Sequence, residues 1–241
     1  MKQRIWELDA LRGVCVLGMI LVHLIYDLTE VYRLWDWEYP PLFNFIKNYG
    51  GILFVLISGI CASFGGSRLR RGLTVLGCGF LCTLVTLGLQ RLGFGGEGSV
   101  IWFGILHCLG VCMLLWHPLR HLPTPVLPVL GLPLILAGHS LMNLRPVRHG
   151  WFVALGILPD WFFSPDYFPL LPFFGYFLLG AFAGRTLYKT RTSLFPGIAG
   201  NAPPLRFLRG CGRHSLLIYL AHQPILMAVC MLLNAVLEVI P

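Results

Sequence analysis

Long apolar runs recur along this sequence, and several are about as long as the roughly 20 helical residues that cross a bilayer core. The composition agrees, because 56% of the residues are hydrophobic and only 12% are charged. A soluble domain of this length needs a more polar surface. The runs contain Gly and Pro and do not alternate with period two, so they indicate helices rather than a membrane barrel. The sequence therefore predicts an all-α, polytopic transmembrane helix bundle.

Seven membrane spans fit the sequence, together with one shorter apolar run. The spans are expected at residues 10–29, 50–66, 72–90, 100–117, 123–141, 168–187 and 215–237. The run at 150–163, "GWFVALGILPDWFF", has only about 14 residues, so we expect it to be interfacial or re-entrant. We interpret residues 1–241 as a single domain, with residues 188–212 as a cytoplasmic loop and an uncleaved first helix.

The basic residues predict the orientation of the chain. If the N-terminus is cytoplasmic, twelve basic residues lie on the inner side and five on the outer side, as the positive-inside rule favours. The inner set is Lys2, Arg4, Arg68, Arg70, Arg71, Arg120, Arg185, Lys189, Arg191, Arg206, Arg209 and Arg213, and the outer set is Arg33, Lys47, Arg91, Arg145 and Arg148. A crossing at 150–163 would move six of the inner residues outside. The net charge of +8 is thus explained by orientation, and no nucleic-acid partner is expected.

Polar residues interrupt the first span, "LDALRGVCVLGMILVHLIYDL" at residues 8–28. Arg12 and His23 are eleven residues apart, which is about 20° past three helical turns, so both lie on one stripe of the helix. Asp27 follows His23 by four residues on the same face, where a carboxylate can orient the imidazole and stabilise its protonated form. Ionisable residues inside a span are costly and usually functional, which makes His23 and Asp27 the leading candidate site.

Each of these residues also has a structural interpretation. Arg12 can extend its guanidinium to the membrane interface, and Asp9 can cap the start of the helix. His23 and Asp27 can form a structural hydrogen bond between helices.

Further polar residues lie in or beside the other spans, and each has a simple structural interpretation. Ser58 can hydrogen-bond to its own helix, and Tyr219 can be an ordinary packing residue. Asp166 can cap a helix that starts near Tyr167. The further polar residues are Ser58, His107, Asp166, Tyr219 and His222. Taken together, histidines at different depths with carboxylates at the outer side resemble the lining of a path across the membrane.

The eight cysteines lie mostly inside apolar runs. Cys78 with Cys82, and Cys108 with Cys112, have helical spacing, so a metal site is conceivable. Small buried cysteines in helix packing are the simpler interpretation, and we predict neither a metal site nor a disulfide framework.

Five stretches, in order over almost the whole chain, resemble the bacterial branch of the heparan-alpha-glucosaminide N-acetyltransferase catalytic family, which is related to the wider membrane acyltransferases. The stretches are "RIWELDALRGVCVLGMILVHLIYDL", "FVLISGICAS", "IWFGILHCLGVCMLL", "DYFPLLPFFGYFLLGAFAG" and "GRHSLLIYLAHQPIL". In the wider group, an Arg followed eleven residues later by a His in the first span is a recurring active-site signature, which Arg12 and His23 match. The lysosomal enzyme that names the family has a histidine in the loop after the first span, whereas none occurs here between His23 and His107.

The resemblance implies transfer of an acyl group, expected to be acetyl, from cytosolic acetyl-CoA or another acyl-CoA to an acceptor on the other side of the membrane. The acceptor is expected to be a sugar amine or hydroxyl on a saccharide or glycoconjugate. The catalytic pair is then His23 with Asp27, in which His23 acts as general base or carries the acyl group. Arg12 is expected to bind the phosphates of CoA.

The remaining predicted residues divide between the two substrates. His222 and Tyr219 are expected on the donor side, and Asp166, His107 and Ser58 on the acceptor side. We expect an integral protein of the bacterial inner membrane, surrounded by lipid, with its C-terminus outside and possible homo-oligomerisation.

Two other classes of protein would use similar residues. A proton-coupled transporter or carrier also lines its path with His and Asp, but it commonly has internal repeats and moves solute without consuming acyl-CoA. A purely structural membrane subunit would tolerate loss of His23.

Overall fold

The computed structural model describes residues 5–65, 69–93, 98–142, 146–198 and 202–239, with side chains described as far as residue 237. Within these ranges the chain forms helices and no strand. The prediction of an all-α membrane protein is therefore confirmed. Four residues of the charge argument lie outside the described residues, namely Lys2, Arg4, Arg68 and Arg145.

Eight α-helices and two short helical turns make up the described chain. They are α1 (Trp6–Tyr26), a π-helical turn (Asp27–Val31), α2 (Pro41–Ser63), α3 (Leu69–Arg91), α4 (Ile105–Leu119), α5 (Val126–Met142), a 3-10 turn (Gly150–Leu155), α6 (Leu170–Leu187), α7 (Pro203–Arg213) and α8 (Ser215–Val239). Each of the seven predicted spans overlaps one of these α-helices.

Five of the helical segments are long and apolar enough to cross a membrane. They are Trp6–Val31, Pro41–Ser63, Leu69–Arg91, Leu170–Leu187 and Ser215–Leu237. Helices α4 and α5 are also apolar, but with 15 and 17 residues they are shorter than the roughly 20 that a span normally takes. The structure thus supports five spans by length and composition, and the count of seven stays a prediction.

The apolar run at 150–163 contains only the six-residue 3-10 turn Gly150–Leu155. Gly156, with a φ of 103°, follows the turn in the left-handed region, where glycine is favoured. A helical turn of this length is too short to cross a membrane. The interfacial or re-entrant placement of this run stays a prediction.

Residues 188–212, predicted as a cytoplasmic loop, include most of helix α7, and their cytoplasmic placement stays a prediction. Pro203 and Pro204 occupy the first positions of this 11-residue helix. Proline is tolerated in the first turn of a helix, because the amide hydrogen that it lacks has no partner there. The prolines of "NAPP" are typical of a loop, and they are equally compatible with the start of a helix.

The chain divides into two compact units. The first unit comprises Met1–Phe54 and Ser193–Pro241, and the second comprises Val55–Thr192. The boundary falls inside α2, so each unit contains part of that helix. The prediction of one domain over residues 1–241 is not tested by this division and stays a prediction.

In the first unit, α1 packs closely against α7, and α8 packs on α1 as well. Two glycines permit the close approach of α1 and α7. A Cβ atom added to Gly212 would lie 1.8 Å from the carbonyl oxygen of Asp9, and one added to Gly13 would lie 2.0 Å from that of Leu208. Backbones meet in this way at small residues in membrane helix pairs.

In the second unit, α5 packs on α6 and α3 packs on α4. Its core includes fully buried apolar side chains such as Phe177, Leu178 and Val55. Trp116 of α4 donates a hydrogen bond from Nε1 to the carbonyl of Ala62, at 3.2 Å. This hydrogen bond joins the C-terminal half of α4 to α2.

Candidate functional site

The predicted site residues fall into two groups, one in each unit. The first unit contains Arg12, His23, Asp27, Tyr219 and His222, and the second contains Ser58, His107 and Asp166.

The central contact of the first group joins two histidines. His23 lies in the last turn of α1 and His222 in α8, and their ring centroids are 5.0 Å apart with a tilt of 54° between the planes. His222 is 8% exposed, and its Nδ1 hydrogen-bonds to the carbonyl of Tyr219. A carbonyl can only accept, so Nδ1 carries the proton and Nε2 is the basic nitrogen of the neutral ring. The sequence predicts His23 as the catalytic residue and His222 on the donor side, and the structure places their rings in contact.

Asp27 begins the π-helical turn and is 2% exposed. Both of its carboxylate oxygens accept hydrogen bonds from Nε2 of Gln223, at 3.2 and 3.0 Å. Among the residues that the structure describes, no hydrogen bond joins Asp27 to His23. The expected contact between the Asp27 carboxylate and the His23 imidazole is therefore not the one that forms. The Asp27 side chain contacts Gln223 of α8 instead. Placement four residues apart on one helix face does not decide which neighbour a carboxylate contacts.

Gln223 was not selected as a site residue from the sequence. Its Nε2 is occupied by Asp27, and its Oε1 is buried without a hydrogen-bond partner in the described part of the chain. An unsatisfied buried acceptor costs about 1–3 kcal/mol. This oxygen can accept a hydrogen bond from the amine or hydroxyl of a bound molecule. The π-helical turn beside it is a further indication, since such turns are frequent at functional sites.

Arg12 is held between α1 and α7. Its Nη1 lies 3.2 Å from Oδ1 of Asp9 and 3.2 Å from the carbonyl oxygen of Gly212, and its side chain is 12% exposed. Arg213, which is more exposed, contacts the other oxygen of Asp9 at 3.5 Å. The interpretation of Asp9 as a helix cap is wrong, because α1 begins at Trp6 and Asp9 forms ion pairs inside its first turns. The extension of Arg12 to the membrane interface stays a prediction.

Glu7 is a buried carboxylate that the sequence analysis did not single out. It is 5% exposed, and its Oε1 accepts a hydrogen bond from the backbone amide of Leu194 at 2.8 Å. The contact fixes the segment before α7 to the start of α1. Its position in the first turn of a predicted helix is the usual place for an acidic residue, so the sequence carried no signal of this long-range role.

In the second unit, His107 forms hydrogen bonds through both ring nitrogens. Its Nδ1 accepts from the amide of Gly104 at 3.2 Å, and its Nε2 lies 3.3 Å from Oγ1 of Thr83. The Thr83 hydroxyl donates to the carbonyl of Ile101 at 2.6 Å, so it accepts from Nε2 of His107. The ring is 1% exposed. These contacts explain His107 as a structural residue, and its predicted role toward the acceptor stays a prediction.

Asp166 is also accounted for by a structural contact. Its Oδ2 accepts a hydrogen bond from the amide of Ile105 at 3.1 Å, which satisfies one of the free amides at the start of α4. The expectation that it caps a helix starting near Tyr167 is wrong, because α6 begins at Leu170. Tyr167 itself donates to the carbonyl of Val153 at 2.7 Å, and burial raises its pKa, so it remains a neutral donor.

Ser58 is 8% exposed within α2. The second unit also contains a cavity of about 330 Å³, and none of the predicted residues lines it. Its lining is Gln90, Gly98, Val100, Trp102, Trp161 and Phe163. Across the described ranges, no group of three or more His, Cys, Asp or Glu side chains is placed to hold a metal ion.

Comparison with known families matches most of the chain. The model of the family described as "Heparan-alpha-glucosaminide N-acetyltransferase, catalytic" matches residues 4–224. Every predicted site residue falls within the matched range, as does Gln223. Neither a curated protein nor a solved structure matches the chain.

Proposed function

The chain belongs to the heparan-alpha-glucosaminide N-acetyltransferase catalytic family, and we propose that it transfers an acetyl group from cytosolic acetyl-CoA to a saccharide across the membrane. Family membership implies transferase activity, and the apolar helices make it an integral membrane protein. The donor, the acceptor amine or hydroxyl, the inner-membrane location and the orientation with a cytoplasmic N-terminus are parts of the proposal.

The observation that carries the proposal is the contact between the two imidazoles of α1 and α8. Histidine is the side chain best suited to general-base work near neutral pH. Here two such rings lie 5.0 Å apart, and the buried Asp27 and its partner Gln223 lie on the same two segments of chain. Buried ionisable groups inside membrane helices are costly, so a purely structural role is a poor explanation for all four residues together.

The proposed reaction needs one base and one route for the proton. An imidazole nitrogen of His23 takes a proton from the neutral amine or hydroxyl of the acceptor, whose nitrogen or oxygen bonds to the acetyl carbonyl carbon. The bond from that carbon to the CoA sulfur breaks, and the thiolate leaves. The imidazolium returns its proton to the sulfur, so the products are the acetylated sugar and free CoA. Asp27 then supports this centre through Gln223 and α8 rather than by contacting His23.

Gln223 and His222 extend the catalytic centre. We propose that Oε1 of Gln223 accepts a hydrogen bond from the attacking amine or hydroxyl, which would orient its lone pair toward the thioester. The basic Nε2 of His222, fixed by the Tyr219 carbonyl, is a second candidate for the base. The assignment of Tyr219 and His222 to the donor side remains part of the sequence-based proposal.

Arg12 is the proposed contact for the phosphates of CoA. A guanidinium suits phosphate geometry, and Asp9 and the Gly212 carbonyl already fix its direction. Arg213 shares Asp9 and is partly exposed, so it can assist. The roles of Ser58, His107 and Asp166 toward the acceptor stay proposals. His107 and Asp166 also hydrogen-bond to backbone amides at the start of α4.

The test is transfer of label by purified full-length protein in lipid nanodiscs. Radiolabelled acetyl-CoA is incubated with glucosamine and a panel of neutral sugars, and both labelled sugar and free CoA are measured. The proposal expects equal amounts of the two products, dependent on protein. No labelled sugar and no free CoA above the level without protein, together with protein-dependent uptake of radiolabelled sugar into sealed proteoliposomes, would favour the transporter alternative instead.

A further inference from the structure

An aromatic ladder connects the end of α1 to the start of α2 in the first unit. It consists of Trp35, Trp37, Tyr39 and Phe43. The rings of Trp35 and Trp37 are stacked with centroids 5.0 Å apart and planes within 4°, and Tyr39 stacks on Phe43 at 4.8 Å. Trp37 meets Tyr39 edge to face at 6.3 Å, so the four rings form one continuous row.

The ladder is fixed to the helices by specific contacts. The Tyr39 hydroxyl lies 2.6 Å from Oγ1 of Thr29 and donates to Oε1 of Glu30 at 3.0 Å. Arg33, with a φ of 51°, lies in the left-handed region that L-residues rarely adopt, and the amides of Leu34 and Trp35 return to one carbonyl of the π-helical turn. Strained backbone of this kind persists where the surrounding structure demands it and is concentrated at functional sites.

The exposed end of the ladder is the ring of Trp35, in a segment that carries more carboxylates than basic residues, of which Lys47 lies over the Tyr39 ring at 5.4 Å. Trp35 is 50% exposed, and since one face stacks on Trp37, the exposed area is largely the other face and the edge. Asp36 and Glu38 alternate with the rings and are exposed, as is Glu30. Tryptophans that only anchor a protein at the membrane surface do not need a parallel ring partner or acidic neighbours, and carboxylates are repelled by anionic lipid.

Saccharides carrying amines match this combination of features. The axial C–H face of a pyranose packs on an aromatic ring, and ammonium groups are attracted both to carboxylates and to ring faces. Thr29 and Glu30, which fix the ladder, follow His23 by six and seven residues along the same helical segment, a rise of about 10 Å. The residues that fix the ladder therefore lie about 10 Å from His23 along the helix axis.

We propose that Trp35 and Trp37 form a subsite for a second sugar ring of a cationic oligosaccharide acceptor, with Asp36 and Glu38 attracting its amino groups. The inference rests on the proposed function, because it extends the acceptor from a single sugar to a chain. It selects chains with free amines over sulfated or otherwise anionic ones, since the carboxylates oppose negative charge.

The test measures binding without acetyl-CoA, so it does not depend on turnover. Full-length protein in nanodiscs is titrated calorimetrically with glucosamine and with its β-1,4-linked tetramer. The wild type should bind the tetramer about tenfold more tightly than the monomer, which is the effect of one stacked ring. Trp35→Ala should remove most of that difference, and Trp35→Tyr should retain part of it. Trp151→Ala is the matched control, because Trp151 is 85% exposed but belongs to the second unit.

Charge is tested with a second ligand and a second variant. The fully N-acetylated tetramer, which lacks the amines, should bind more weakly to the wild type, and Asp36→Asn with Glu38→Gln should remove that difference. Equal wild-type affinity for monomer and tetramer, or an intact preference in Trp35→Ala, would overturn the subsite. Equal affinity for the charged and acetylated tetramers would overturn the role of the carboxylates. A protein that binds the tetramer as expected but releases no CoA from acetyl-CoA would contradict only the proposed function.

Discussion

Gln223 of α8 donates from its Nε2 to both carboxylate oxygens of Asp27, at 3.0 and 3.2 Å. This contact holds the Asp27 side chain, and Asp27 is only 2% exposed. The other amide atom of Gln223, Oε1, has no hydrogen-bond partner in the described part of the chain. In the proposed site, this arrangement makes Gln223 the link between the buried acid and the acceptor beside the two histidines.

Removal of Gln223 should therefore be more damaging than neutralisation of Asp27. Gln223→Leu leaves a buried carboxylate without its donor, and we expect a loss of about 1–3 kcal/mol of stability, seen as a lower unfolding temperature in detergent. Asp27→Asn keeps an oxygen that accepts from Gln223, so its unfolding temperature should stay near that of the wild type. A Gln223→Leu protein as stable as the wild type would show that the contact is not needed for the fold.

Two glycines of α7 give a matched test of how α1 and α7 pack. A Cβ on Gly212 would lie 1.8 Å from the Asp9 carbonyl oxygen, whereas one on Gly210 would meet no atom within 4 Å outside its own helix. Gly210→Ala should be neutral or stabilise by up to about 1 kcal/mol, because alanine favours the helix. Gly212→Ala should lower the unfolding temperature and displace the carbonyl that holds Arg12. If both variants unfold at the same temperature, the close approach of the helices is wrong.

The all-helical fold and most helix bounds could be predicted from the sequence, because apolar run length is a local signal. The cost of buried ionisable groups makes His23 and His222 candidates, and their roles stay predictions. The contacts between elements could not be predicted, because they depend on which neighbour a side chain meets. Asp27 met Gln223 rather than His23, and Asp166 capped α4 rather than α6. Helix α7 was missed because prolines at a helix start resemble those of a loop.

Asp166 should behave as a helix cap. Asp166→Ala removes the acceptor for the Ile105 amide and should cost about 0.5–2 kcal/mol of stability, whereas Asp166→Asn keeps an oxygen and should cost much less. Unfolding temperatures of the three proteins check this order. If Asp166→Asn instead leaves stability unchanged but raises the acceptor KM severalfold, the residue also serves the acceptor, as the sequence suggested.

Arg12 should serve the donor and not the acceptor. Arg12→Lys keeps the charge but loses the paired donors of the guanidinium, and we expect it to raise the KM for acetyl-CoA while the KM for the sugar changes little. Arg213→Lys is the comparison, because Arg213 shares Asp9 with Arg12 and is more exposed, so it should have the smaller effect. Equal KM values for acetyl-CoA in wild type and Arg12→Lys would remove Arg12 from the donor site.

The central assignment is that the imidazole of His23 is the base for acetyl transfer, beside His222 at 5.0 Å. His23→Ala and His222→Ala are compared with wild type in nanodiscs, after unfolding temperature and acetyl-CoA affinity have shown that each variant is folded and binds its donor. Loss of a general base typically slows a reaction by about 10² to 10⁴. The most direct measurement is the rate of acetyl transfer to sugar by the folded His23→Ala protein at saturating acetyl-CoA. We expect a fall within that range, with a smaller fall for His222→Ala. Transfer by His23→Ala at a rate near that of the wild type would contradict this assignment.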